Sequence, residues 1–294
     1  MQTLENLNRK IITAQDLLAV VQTMKSLAAV NIRQYERAAE TMDAFRDVVD
    51  MGWQIFLRGG TALPSGSRAR RAVCLVVGSD QGMCGQFNEV IVRHALERIE
   101  HLESTGFEVS CWSAGEKVVG GLEDAGRKDE ASFRLPGSLP AIIHTVQEII
   151  QRLDERRRER GGAFFHVSHN VLAPGAYVPS FHRLLPLDAE WARAYRARRW
   201  PNRSIPMLGA SRENMFTGLF HQYLFVSIYR AFAQSLAAEN AGRLTAMQAA
   251  EKNILEMEDE LQALYREQRQ AQITNELIDI ISGFEALRED EQPV

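Results

Sequence analysis

Apolar residues recur at alternating steps of three and four through the N-terminal segment: Leu4, Leu7, Ile11, Ala14, Leu18, Val21, Lys25, Ala28, Ile32, Tyr35, Ala39 and Met42. This is a heptad seam whose polar interruption is Lys25. No proline precedes Pro64, and none lies between Arg212 and Leu287. The second proline-free segment repeats Met247, Ala250, Ile254, Met257, Leu261, Leu264, Gln268 and Ala271 at the same steps. At ~1.5 Å per residue it would span on the order of 110 Å, more than a globular core can cover. Such a helix coils on a partner or is gripped by other chains. The two segments stand at opposite ends of the chain, so pairing them buries both seams. Toward the C-terminus Ile273, Leu277, Ile278, Ile280, Ile281 and Phe284 spread beyond one stripe, which one partner helix cannot cover. An enclosing sleeve of other chains is implied.

Between the helices the pattern changes. Helix one should end near Gly59-Gly60, and Pro64-Ser65-Gly66-Ser67 reads as a linker. The run Ala72 to Val77 predicts a strand buried on both faces. A glycine-containing loop and a helix over 88–103 follow, then a strand over 107–112, making a βαβ unit. Residues 141–160 predict a third amphipathic helix, and 163–172 and 176–187 predict two more strands. Alternating strands and helices imply an α/β fold with a mostly parallel sheet. The Arg- and Trp-rich stretch 188–210 reads as a wrap leading back to the last helix, for which Ser211 is the N-cap. The expected segments are 1–60, a linker at 61–71, an α/β domain over 72–210, a helix over 211–288 and a tail at 289–294.

Composition narrows the function. The chain has 294 residues, 45% apolar and 24% charged, with a net charge of −4, an ordinary globular balance without the basic excess of a nucleic-acid binder. Its first residues include Glu5 and Asp16 and are amphipathic, unlike a signal peptide or membrane span. Cys74, Cys84 and Cys111 lack CxxC spacing and suit free thiols in a reducing compartment.

Candidate chemistry is sparse. The loop Gly78-Ser-Asp-Gln-Gly-Met-Cys-Gly-Gln-Phe-Asn88 sits where phosphate loops sit, but it is not G-x-G-x-x-G and lacks the Walker Lys-Ser/Thr pair. Its glycines read as packing devices and Cys84 as a structural thiol with no base beside it. His166 and His169, three apart in a strand, fall on opposite faces, so no metal or cofactor site is expected. The Arg156-Arg157-Arg158/Arg160 cluster reads as the solvated end of a helix, where the dipole favours cations. Arg193, Arg196, Arg198, Arg199 and Arg203, interleaved with Trp191 and Trp200, read either as solvated charge or as a patch for an acidic or membrane-surface partner.

Glu239-Asn-Ala-Gly-Arg-Leu-Thr-Ala-Met247, Tyr265-Arg-Glu-Gln-Arg-Gln-Ala-Gln-Ile-Thr-Asn-Glu-Leu-Ile-Asp-Ile-Ile-Ser-Gly283, Thr23-Met-Lys-Ser-Leu-Ala-Ala-Val-Asn-Ile-Arg33, Leu184-Leu-Pro-Leu187 and the Gly78–Asn88 loop together resemble the gamma-subunit family of F-type ATP synthases. The resemblance covers essentially the whole chain. Gln81, Met83 and Gln86 stand where the family usually has Arg, Leu and Gly, and Phe284 where it has Ala, as in a divergent branch.

The resemblance implies a left-handed antiparallel coiled coil of the termini with an inserted Rossmann-like, mostly parallel α/β domain. It implies a non-catalytic rotor, peripheral to the cytoplasmic face of a bacterial inner membrane. The implied partners are the alpha and beta subunits, the epsilon subunit and the c-ring, which itself sets whether protons or sodium ions are moved. Carried over by position, Arg269 and Gln270 would touch a loop of the catalytic subunit, Thr274 and Glu276 a second contact, and Met24 a third, with Lys25 meeting acidic groups. The residues alone leave two other classes open: a small-molecule enzyme on the βαβ core, and a coiled-coil scaffold.

Overall fold

The computed structural model describes residues 3–58, 70–161, 164–174, 176–200, 209 and 211–290. Its elements are α1 (Leu4–Arg58), β1 (Arg71–Val77), α2 (Phe87–Ser104), β2 (Glu108–Ala114), α3 (Glu116–Asp124), β3 (Asp129–Phe133), α4 (Leu139–Arg160), β4 (Phe164–Ala173), β5 (Ala176–Leu185), α5 (Ala189–Ala197) and α6 (Arg212–Asp290). Two compact units emerge, one of Met1–Leu27 with Ala246–Val294, the other of Ala28–Thr245. Both boundaries fall inside the long helices. The expected linker at 61–71 lies almost wholly outside the described residues.

In the first unit α1 and α6 run antiparallel, since Gln15 donates to Glu258 (2.8 Å) and Gln22, further along α1, donates to Glu251 (3.2 Å), further back along α6. On α1 the heptad reading holds: Leu7 and Ala14 are buried, and Leu4, Ile11, Leu18, Val21 and Lys25 are half-buried. On α6 it needs correction. Met257 and Leu264 are 46% and 50% exposed and Ala271 is exposed, while Glu258, Tyr265 and Gln268 turn inward beside Ile254 and Leu261. From Ile254 onward the inward steps run four then three, where the sequence suggested three then four. Glu258 is held inward by Gln15, so a polar cross-helix bond sits where Met257 was expected to pack.

The second unit is built on a five-stranded sheet in the order β3-β2-β1-β4-β5. All neighbours are parallel except the β4–β5 edge pair. Central β1 shows why an unbroken apolar run predicts such a strand: Val73, Leu75 and Val77 face one core, with α1, α4 and α6, while Cys74 and Val76 face the other, with α2 and α3. Gly242 of α6 lets that helix approach the Gly78–Asn88 loop; a Cβ there would lie 2.7 Å from the Cys84 carbonyl oxygen.

Three elements were not anticipated. Helix α3 carries Gly120-Gly121, poor helix formers, and β3 reads Asp-Glu-Ala-Ser-Phe, an edge strand with little apolar content. Helix α5 lies within the stretch expected to be a wrap. Asp188 caps it by accepting from the Trp191 N–H at 2.9 Å, and Trp191 packs edge-on to Trp53 of α1 with centroids 5.1 Å apart. Ser211 does cap α6, accepting from the Asn214 N–H at 3.4 Å.

Candidate functional site

The distal part of α6 is uncovered along its whole circumference. Every residue from Arg269 through Ser282 is exposed, including Ile273 (47%), Leu277 (54%), Ile278 (53%), Ile280 (67%) and Ile281 (56%). Apolar residues on several faces of one helix would cost on the order of 2 kcal/mol each if left in water rather than buried. Arg269, Gln270, Thr274 and Glu276 share this stretch. The Thr274 hydroxyl donates to the Gln270 carbonyl oxygen (2.9 Å) and Gln272 donates to Glu276 (3.0 Å), which leaves the guanidinium of Arg269 and the amide of Gln270 facing solvent. The side chain of Phe284 lies outside the described residues.

A second apolar surface lies on α1, outside the seam read from the sequence. Leu17 (50%), Val20 (55%) and Leu27 (59%) are exposed on α1, with half-buried Met24 between them. Each precedes a seam position by one residue, so the signal was a second heptad stripe beside the first. Lys25 turns the other way. Its ammonium lies 2.5 Å from Glu251 across the helix pair. Hydrogen bonds from Lys25 and then Gln22 hold the Glu251 carboxyl below its ordinary range. Lys25 thus finds its acidic group within the chain.

The arginine patch divides. Arg198 pairs with buried Asp50, which also accepts from the Tyr195 hydroxyl (2.8 Å), and Arg196 donates to the Leu57 carbonyl (3.3 Å). These contacts fasten α5 to α1, while Arg193 and Arg199 are exposed and Arg203 lies outside the described residues. In the cluster at the end of α4, Arg157, Arg158 and Arg160 are exposed as expected, and Arg156 alone departs from a solvated face. Arg156 is buried and donates to Ser110 (2.8 Å) and Glu130 (3.4 Å).

The glycine loop spends its polar groups on itself. The Ser79 N–H donates to Asn88 Oδ1 (3.0 Å), Asn88 Nδ2 donates back to Ser79 Oγ (2.8 Å), and Ser79 Oγ donates to the Gln81 carbonyl (2.8 Å). A Cβ on Gly78 would fall 1.9 Å from Val118, so this glycine serves close packing. Cys84 is buried, and burial raises its thiol pKa, the reverse of nucleophile activation. His166 stacks on Phe181 while His169 bonds Gln234 of α6 (3.1 Å), on opposite faces of β4 as expected. Among the described residues no helix is long and apolar enough to cross a membrane.

Comparison with known proteins places this architecture. A family model described as ATP synthase matches residues 3–287. An ATP synthase gamma chain from Granulibacter bethesdensis is 28% identical over 305 residues, covering 98% of this chain and all of that protein. Another, from Paraburkholderia phymatum, is 26% identical over 298 residues with coverage of 98% and 100%. Among solved structures, a chain of the Euglena gracilis mitochondrial ATP synthase superposes with a TM-score of 0.66 at 12% identity, covering 99% of this chain and 96% of that one. A chain from the central stalk and c-ring of the Tetrahymena thermophila enzyme gives 0.57 at 20% identity, with 79% and 99% covered. At identities this low the shared property is the fold.

Proposed function

The chain belongs to the gamma-chain family of F-type ATP synthases, non-catalytic subunits of the central stalk, and we propose that it turns as a rotor inside a hexamer of alpha and beta subunits. The observation that carries this reading is the uncovered apolar stretch of α6 from Ile273 to Ile281, together with the Leu17, Val20 and Leu27 stripe on α1. Both surfaces need a cover that the described residues do not supply, and a surrounding ring of subunits supplies it. A shaft with unequal side chains around its axis presents each catalytic site with different contacts as it turns. Those differential contacts shift the sites among conformations of unequal affinity.

In this reading Arg269, Gln270, Thr274, Glu276 and Met24 contact the hexamer. The α/β unit contacts the epsilon subunit and the c-ring, with Arg193 and Arg199 available to acidic groups. Residues 1–60 and 211–288 form the shaft and 72–210 the side domain. The complex sits on the cytoplasmic face of a bacterial inner membrane and moves protons or sodium ions through the ring. Mixing the purified chain with alpha and beta subunits tests this. A stable assembly with stimulated ATP hydrolysis supports it, and a chain that stays outside the hexamer contradicts it.

A further inference from the structure

A cavity of about 350 Å³ in the α/β unit is lined by four arginines, Arg46 of α1, Arg183 of β5, Arg198 after α5 and Arg230 of α6, together with His169 and His182. We propose that this cavity is a binding site for a phosphate-bearing anion, free or as a lipid headgroup. The proposal is independent of the rotor reading, which makes no use of these residues.

The charge balance is the first reason. Asp188 pairs with Arg183 (2.8 Å) and Asp50 with Arg198, but Asp43 is shared between Arg230 (2.7 Å) and Arg46 (3.3 Å). Asp47 also acts on Arg198, but the charged groups that line the cavity itself are the four guanidiniums and one carboxylate, Asp50, so positive charge faces a partly enclosed space where field lines are focused. Guanidinium forks match phosphate oxygens in geometry as well as charge.

The second reason is assembly. The six groups come from α1, β4, β5, the segment after α5, and α6, so folding gathers them from positions 46 to 230. A run of surface arginines on one helix would show no such convergence. The third reason is an unspent polar atom. His169 is 2% exposed and donates from Nε2–H to the Gln234 amide oxygen, so Nδ1, which has no hydrogen-bond partner among the described residues, is an acceptor in the neutral ring and becomes a donor to an anion once the ring takes up a proton. The surroundings also keep both rings neutral. Burial, then His182 and Arg230, hold His169 down at about 4, and burial followed by Arg230 lowers His182. An anion among the arginines would relieve that repulsion.

The test follows the His169 and His182 ring resonances of the full chain by NMR during titration with inorganic phosphate, then pyrophosphate, then vesicles of phosphatidylglycerol or phosphatidylcholine. Saturable shifts of both rings with an upward change in their pKa are expected. Binding should weaken at least about tenfold in Arg230→Gln and Arg183→Gln, and less in Arg183→Lys, which keeps charge without the fork. Arg158→Gln on α4 should bind as the parent does. Response to the phosphates identifies a soluble ligand, and response to anionic vesicles alone identifies a headgroup. Absence of saturable ring shifts with every probe overturns the proposal, as do equal affinities across all variants. The parent titration decides even where a variant misfolds.

Discussion

Replacing Gly242 with alanine sets two effects against each other. In a helix interior the change ordinarily stabilises by about 1 kcal/mol, but here the new Cβ would sit 2.7 Å from the Cys84 backbone oxygen. Backbone cannot swing aside, so Gly242→Ala should destabilise by about 1–3 kcal/mol. At Gly120 in α3 a Cβ meets nothing within 4 Å, and Gly120→Ala should stabilise by up to about 1 kcal/mol. Urea unfolding of the two variants checks the opposite signs. The buried histidines set a pH window. His166 and His169 stand at about 4 against an ordinary 6.5, each lowered chiefly by burial. A group depressed in this way contributes stability that is full above the unfolded value and lost as pH falls toward the folded one. Each should cost roughly 2 kcal/mol between pH 7 and pH 5. Urea midpoints at the two pH values measure the loss, which His169→Gln should halve. The sequence showed the two histidines on opposite faces because strand alternation is fixed, but it could not show what they touch.

Among the elements, α1, β1, α2, β2, α4, β4 and β5 were legible because each carries its own period or an apolar run bounded by turn residues. Helices α3 and α5 and strand β3 were not, because they are short and depend on contacts supplied from elsewhere. Helix α5 is the clearest instance, since Trp191 and Tyr195 make sense only against Trp53 and Asp50 of α1. Asp50→Ala would leave the Tyr195 hydroxyl and the Arg198 charge without their acceptor, at a cost of about 3 kcal/mol. Hydrogen exchange should then speed up across 189–197 before the sheet is affected. The inward face of α6 was half legible. Ile254, Leu261 and Gln268 fit either stepping; the pairing with Gln15 selects Glu258, and Tyr265 is half-buried two turns further on. Tyr265→Ala should therefore lower the melting temperature of the chain more than Leu264→Ala; the reverse order would favour the stepping read from sequence.

For the whole molecule, the exposed apolar stretch of α6 makes sense as a surface built for other subunits. The candidate contacts on it were reached through resemblance, since Arg269 and Glu276 alone are indistinguishable from solvated helix charges. Arg269→Ala with Gln270→Ala should lower coupled ATP synthesis by roughly thirtyfold or more in assembled complexes, each lost charged or polar contact being worth about 1–2 kcal/mol. Unchanged synthesis would remove the pair from the interface. Rotation of this chain can be observed directly. Cys74, Cys84 and Cys111 are all buried, so a cysteine introduced as Arg158→Cys at an exposed position of α4 can be labelled selectively. With the alpha–beta hexamer fixed to a surface and a bead on that cysteine, ATP should drive continuous rotation in one direction. A bead that stays fixed on an assembled, ATP-hydrolysing complex would show that the chain is not a rotor.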